Sequence, residues 1–162
     1  MAVTDIRLDD AGATEAFGRR LAACQQSGLL IFLNGDLGAG KTTLVRGYLR
    51  GLGHQGPVKS PTYTLIEPYE TGQGHLYHLD LYRLSDPEEL EWIGLRDLFD
   101  GQSVCLIEWP QRGEGMLPEP DVVIYLTVEG RGRQLVLEAL SVRGEQIVQC
   151  LESDGSPLES FL

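Results

Sequence analysis

Three observations predict an α/β fold with a mixed central sheet, helices on both faces, and antiparallel hairpins within it. The apolar run Leu29–Leu33 leads into a glycine-rich turn and then a helical pattern from Thr43 to Leu52, the strand–turn–helix unit of such folds. Short apolar runs of buried-strand type recur, as in Ser103–Trp109, SVCLIEW. Two alternating runs flank the glycine-containing turn at residues 71–74 and two apolar runs flank that at 129–133, and such pairs read as hairpins.

The turn after the first apolar run makes the fold P-loop NTPase-like. Residues Gly35 to Thr42, GDLGAGKT, spell G-x-x-x-x-G-K-[ST], the phosphate-binding loop. Gly35, Gly38 and Gly40 let the backbone curl so that successive N–H groups face one anion. Lys41 supplies a point charge for the outer phosphates, and the Thr42 hydroxyl can enter a magnesium shell. The following helix turns its positive end toward the phosphates. An ordinary glycine turn between strand and helix needs neither the lysine nor the threonine.

In chain order, Val3–Leu8 alternates and reads as a short strand. Asp9-Asp10 offers an N-cap for a first helix over residues 11–26, with Ala13, Phe17 and Leu21 on one face and Gly28 past its end. Helix 43–52 ends at Gly53, a good C′ residue. Residues 54–61, HQGPVKSP, form a loop. Strands at 62–69 and 75–82 make the first hairpin. Ser85 as N-cap, Pro87 in the first turn and Glu88 closing a capping box start a short helix that stops near Gly94, with a second helical piece at 96–99. Strand 103–109 ends in a carboxylate, 110–120 is irregular, and 122–128 and 134–142 form the second hairpin. A last helix covers 145–152, and the tail from 153 is frayed.

Length fits one domain spanning 1–162, with 42% apolar and 23% charged residues as in soluble globular proteins. No apolar run approaches the ~20 residues that span a bilayer, and the acidic start MAVTDIRLDD is not a secretory signal. These features place the chain in the cytoplasm, away from membranes. Cys24, Cys105 and Cys150 are widely spaced and odd in number, so buried free thiols in a reducing compartment are expected. The net charge of −11 lacks the footprint of a direct nucleic-acid binder. Such a chain works beside nucleic acid only if a basic partner holds it.

A triphosphate site needs magnesium, and magnesium needs hard oxygen ligands. Glu108 ends VCLIE and Asp80 ends HLYHLD, at strand ends where such sheets place ligands. With Thr42 they supply three oxygen ligands or water anchors; the lesser alternatives are a strand-end surface acid for Glu108 and a hairpin cap or brace for Asp80. Lys59-Ser60-Pro61-Thr62 lies where many nucleotide proteins carry a mobile switch, and Thr62 or Thr64 could contact the γ-phosphate or the metal; spacing alone fits a plain loop-to-strand turn equally well. Trp109 sits one residue from the metal acid and could sense nucleotide, though such a tryptophan is more often core. His54, His75 and His78 lack partner spacing and read as solvated or structural. No N-K-x-D guanine motif is present and no D-x-x-G follows the loop, which favours ATP.

GDLGAGKTT at 35–43, VKSPTYTLIEPY at 58–69, DLYRL at 80–84 with DPEELE at 86–91, and LIEWP at 106–110 closely resemble the TsaE family, formerly YjeE. These are bacterial ATPases needed for tRNA threonylcarbamoyladenosine synthesis. The resemblance runs from the first helix to the Gly130–Arg133 turn, and SPTYT with IEWP is far more specific than the loop alone. It implies that Leu37, Gly38, Ala39, Gly40, Lys41 and Thr42 wrap the phosphates, and that Thr42 and Glu108 serve magnesium. Thr43, Asp80 and Trp109 are further functional positions, Ser60–Thr64 a first switch, and Gln111 and Arg133 nucleotide contacts. The family's N-terminal nucleotide segment falls near Asp9–Thr14. It further implies weak hydrolysis of ATP to ADP and association with the TsaD–TsaB pair, which modifies the adenosine beside the anticodon in tRNAs reading ANN codons. The tRNA is then reached only through that pair.

The leading expectation is an ATP-hydrolysing accessory factor, with Lys41 and magnesium offsetting γ-phosphate charge and Asp80 or Glu108 orienting water. No arginine finger is evident, so hydrolysis alone is slow. A small-molecule kinase is the alternative, but residues 84–100 are acidic, with Arg96 as their only arginine, and make a poor lid. A nucleotide-gated binding module without meaningful catalysis is the other alternative.

Overall fold

The computed structural model describes residues 3–25, 27–36 and 38–153. The expectations placed on Leu37 and on the tail beyond Ser153 lie outside the described residues. The elements follow as β1 (Val3–Leu8), α1 (Ala11–Ala23), β2 (Leu30–Asn34), α2 (Lys41–Gly51), β3 (Ile66–Thr71) and β4 (Gly74–Asp80). Then come α3 (Glu89–Trp92), α4 (Leu95–Leu98), β5 (Val104–Glu108), β6 (Val122–Glu129), β7 (Gly132–Ala139) and α5 (Val142–Ser153).

The strands make one seven-stranded sheet in the order β1-β7-β6-β2-β5-β4-β3. β2 runs parallel to β5 and β6, and β4 parallel to β5. The hairpins β3–β4 and β6–β7, and the pair β1–β7, are antiparallel. The mixed sheet and both hairpins are thus as the sequence predicts.

Strand alternation sorts the core into two layers. Ile31, Leu33, Val104, Leu106 and Leu76 point to one face, where Phe17, Leu21, Leu44, Tyr48 and Leu49 of α1 and α2 join Ile147 and Leu151 of α5. Leu30, Leu79, Cys105 and Ile107 point to the other face and meet Leu90 of α3, Leu95 of α4 and the partly buried Met116 and Leu117. Both faces carry helices, but the second has only single-turn ones. Each large apolar side chain buried here contributes about 1.5–3 kcal/mol.

Asp10 caps α1, its Oδ1 accepting from Ala13 N–H at 2.8 Å. At the far end of α2, Gly53 at φ +89° closes the helix as expected. Its N–H donates to Arg50 and that of His54 to Leu49, both at 3.0 Å, satisfying the last carbonyls. α1 and α2 touch backbone to backbone: a Cβ on Gly47 would lie 2.0 Å from the Glu15 carbonyl oxygen, and one on Gly18 2.3 Å from that of Leu44.

Four expectations need correction. The strand expected from Thr62 begins at Ile66, because Leu65 N–H closes a turn onto the Pro61 carbonyl at 2.9 Å and Leu65 takes φ +72°. The fourth strand ends at Asp80, not Tyr82. The helix expected from Ser85 forms only at Glu89; Glu89 rather than Glu88 reaches back, accepting from the N–H groups of Ser85 (3.1 Å) and Asp86 (3.4 Å). Most consequentially, Cys24 and Cys150 are joined in a disulfide across 126 residues, and only Cys105 remains a free thiol among the described residues. The α1 terminus and α5 share one core layer, which brings the two cysteines together.

Candidate functional site

Register and parity assemble the site. Asp80 and Glu108 face each other across β4 and β5, and Glu108 faces Leu33 across β5 and β2. Glu108 has the parity of Leu106, and His78 and Asp80 that of Leu76, so all three carry their side chains to the α1–α2 face. β2 ends on that same edge, and the glycine turn from Gly35 delivers Lys41 and Thr42 at the first turn of α2.

Lys41, Asp80 and Glu108 are each at least 95% buried. The Lys41 ammonium donates to the Gly35 carbonyl at 2.6 Å and lies 3.7 Å from Glu108 Oε1. It also sits 4.4 Å from the centre of the Trp109 ring, a cation–π contact. The other Glu108 oxygen meets Nε2 of the fully buried His78 at 2.5 Å. Asp80 accepts from Tyr82 N–H at 3.0 Å and from the Thr62 hydroxyl at 3.4 Å. Burial holds the Asp80 carboxyl above the usual carboxylate range, and the Glu108 charge pushes the same way; the Tyr82 N–H, Lys41 and His78 pull it back.

A cavity of about 320 Å³ opens between these groups, lined by Gly38, Gly40, Lys41, Thr42, Thr43, Ser60, Thr62, Asp80, Glu108 and Arg133. Residues from five separate stretches of sequence thus converge on one space. Arg133 does so by gripping the loop: Nε donates to the Ala39 carbonyl at 2.8 Å and Nη2 to that of Gly38 at 3.1 Å. Ala39 itself is buried beneath the loop. Two expected residues lie elsewhere. The Thr64 hydroxyl turns away to Glu67 at 2.9 Å, and Gln111 lines a neighbouring cleft of about 400 Å³ with Phe32, Asn34 and Pro110. Asp10 and Thr14, in the N-terminal segment, cap α1, and the Thr14 methyl stands near Gly40.

The donor set suits an anion bridged to a hard cation. Gly40 caps α2 without any side-chain hydrogen bond, at φ +104°, and a Cβ there would meet nothing closer than 3.8 Å. The first N–H groups of an 11-residue helix therefore face the cavity with an ammonium beside them. Thr42 in the same first turn, and Asp80 and Glu108 at the ends of β4 and β5, add oxygen donors to the lining. No cluster of three or more His, Cys, Asp or Glu side chains suited to a metal occurs among the described residues. A magnesium ion here would draw the rest of its shell from phosphate and water, as that ion usually does.

Two features escape sequence reasoning. His78 is no solvated histidine but the buried partner of Glu108; its place two residues before Asp80 on an alternating strand was the available signal. Its Nδ1, like Trp109 Nε1, finds no hydrogen-bond partner among the described residues. Trp109 takes φ +55° and Leu65 φ +72°, the only non-glycine residues so placed among those described; Trp109 follows Glu108 in the chain, and the Leu65 carbonyl accepts from Asp80 N–H. Strained backbone of this kind gathers at functional sites.

Known proteins resemble this chain in sequence and fold. A family model described as "Threonylcarbamoyl adenosine biosynthesis protein TsaE" matches residues 8–135. A Haemophilus influenzae protein named tRNA threonylcarbamoyladenosine biosynthesis protein TsaE is 47% identical over 142 residues, which are 85% of this chain and 90% of that one. A Bacillus subtilis protein of the same name is 40% identical over 137 residues, 84% of this chain and 85% of its own. The crystal structure of Bacillus subtilis YdiB superposes with a TM-score of 0.83 at 32% identity, covering 96% of this chain and 97% of that one.

Proposed function

The chain belongs to the TsaE family of threonylcarbamoyl adenosine biosynthesis proteins, and from that premise we propose that it is a slow, magnesium-dependent ATPase acting on the TsaD–TsaB transferase pair. It serves tRNA threonylcarbamoyladenosine formation, at the adenosine beside the anticodon of ANN-decoding tRNAs. It holds no tRNA itself; its charge of −11 leaves that to the partners. The supporting observation is the convergence of Lys41, Thr42, Asp80 and Glu108 on one cavity at the uncapped start of α2.

The loop N–H groups and Lys41 bind the phosphates. Lys41, which otherwise donates to the Gly35 carbonyl, turns its ammonium to the β- and γ-phosphate oxygens. Thr42 and Glu108 would hold magnesium, and the ion would supply charge that offsets the outer phosphates. Glu108 would then be committed to the ion, with His78 against its Oε2. Asp80 is then the group that orients the attacking water and takes up its proton, a task its raised proton affinity suits. Thr62 joins Asp80 to the Ser60–Thr62 turn, so that turn moves with the γ-phosphate.

Arg133, the one arginine in the cavity, spends its guanidinium on the carbonyls of Ala39, Gly38 and Gly132. It shapes the loop and leaves no finger to stabilise the transferring phosphate, so hydrolysis without partners is slow. The test is ATP turnover by the chain alone and with the TsaD–TsaB pair. Acceleration by the pair, and loss of turnover in Lys41→Ala and Glu108→Ala, are expected; equal turnover with and without the pair, or full activity in either variant, would refute the reading.

A further inference from the structure

A second cavity, of about 510 Å³, opens beside the nucleotide cavity and shares Thr62 with it. Tyr63 and Leu65 of the turn, Arg83 beyond β4, and Trp92 and Ile93 at the end of α3 form its walls. Tyr63 is 83% exposed and Trp92 88%. Large aromatic rings left in water around an apolar pocket mark a surface that meets something, and Tyr and Trp are the side chains that most often anchor protein interfaces. The Arg83 guanidinium stacks 4.5 Å from the Tyr63 ring centre and holds it at the rim.

Charge selects the occupant. Residues 83–97 carry five carboxylates against two arginines. Asp86, Glu88, Glu89 and Glu91 are all exposed, and among the described residues only Glu91 of these four has an ion-pair partner, Arg96 at 3.6 Å. A second copy of this chain would bring a like-charged surface, and a nucleic acid more negative charge still.

We propose that the Tyr63–Trp92 pocket is the docking face for a basic segment of a partner protein. The segment inserts an apolar or aromatic side chain between the two rings and sets its lysines or arginines against Asp86, Glu88 and Glu91. Thr62 makes docking nucleotide-dependent. Its hydroxyl bonds Asp80 in one cavity while its neighbour Tyr63 forms the wall of the other, and the Leu65 carbonyl accepts from Asp80 N–H at 3.0 Å. A change at the γ-phosphate therefore moves the aromatic rim.

The proposal rests on the ATPase reading above and takes the TsaD–TsaB pair as the partner bearing the segment. The experiment measures affinity of the purified pair for the full chain, with and without ATP, for wild type, Trp92→Ala and Glu88→Lys, together with fluorescent ATP-analogue binding by each chain alone. Both side chains are exposed, so folding is unaffected. At least tenfold weaker binding to the pair is expected in Trp92→Ala and a weakening that fades with salt in Glu88→Lys, with nucleotide affinity within twofold of wild type. If wild type binds the pair and Trp92→Ala binds it equally, the docking face is wrong and the ATPase reading stands. If wild type fails to bind the pair with ATP present, the ATPase-partner reading itself has failed. Loss in Trp92→Ala of self-association, or of tRNA retention by the isolated chain, would overturn the proposal in favour of those occupants.

Discussion

Gly47→Ala tests how tightly the phosphate loop's helix is registered against α1. The added Cβ would stand 2.0 Å from the Glu15 carbonyl oxygen, with the Glu15 carbonyl carbon and Cα at 2.8 and 2.9 Å. All three atoms are backbone, so no side chain can turn aside. Reaching an ordinary contact of about 3.4 Å requires the helices to part by roughly 1.4 Å. Overpacking of this kind costs about 1–3 kcal/mol, and a contact this short sits at the top of that range. Alanine's better helix propensity returns about 1 kcal/mol. The net loss is roughly 2 kcal/mol, or about 4–8 °C in Tm for a chain of this length. The shift also carries Lys41 away from Glu108, and displacements near 1 Å cost on the order of 100-fold in turnover. Thermal denaturation and ATP turnover read both effects, with Gly72→Ala as control, because a Cβ there meets nothing within 4 Å. A Gly47→Ala protein as stable as wild type would show that helix propensity outweighs the clash and that α1 and α2 are not held in backbone contact.

Asp80→Asn should raise Tm at neutral pH in magnesium-free buffer while lowering ATP turnover. A carboxyl held above its ordinary range by burial weakens the fold once ionised, and this cost disappears as pH falls through its folded pKa. The Tm difference between variant and wild type should therefore close in acid; a lower Tm for the variant at neutral pH would contradict the assignment. His78→Leu removes the N–H from Glu108 Oε2, and charged hydrogen bonds are worth about 1.5–3 kcal/mol. The magnesium concentration that half-saturates nucleotide binding should rise at least tenfold, with partial recovery in His78→Gln; equal values in all three proteins would sink the positioning role. Thiol titration without reductant should find no reactive thiol in the native protein, since Cys105 is buried and its thiol is pushed up to about 12. One should appear on unfolding and three after reduction, and reduction should lower stability by about 2–4 kcal/mol; three thiols on unfolding without reductant would refute the Cys24–Cys150 bond.

What the sequence displays is whatever is encoded locally. The glycine turn with Lys41 and Thr42 is contiguous, and strand parity alone delivers Glu108 and Asp80 to one edge. Gly53 announces the end of α2 because only a left-handed residue closes it. What the sequence conceals is encoded between distant segments. Nothing local links Cys24 to Cys150, and an odd cysteine count pointed away from a bond. The start of β3 is hidden because alternation at Thr62–Leu65 continues through a turn that the Pro61 carbonyl closes. Gly18 and Gly47 read only as poor helix formers until the backbones they admit are seen. His78 looked solitary because its partner lies 30 residues on, in the neighbouring strand.

The central claim is that nucleotide hydrolysis in the Lys41–Glu108 cavity drives the transferase through repeated cycles. It is tested most directly by counting threonylcarbamoyladenosines formed on tRNA per TsaD–TsaB pair, with this chain and ATP. Many turnovers are expected with wild type and ATP, and no more than about one with Lys41→Ala or a non-hydrolysable ATP analogue. Full multiple turnover with the analogue would contradict it and leave the cavity a nucleotide-gated docking device.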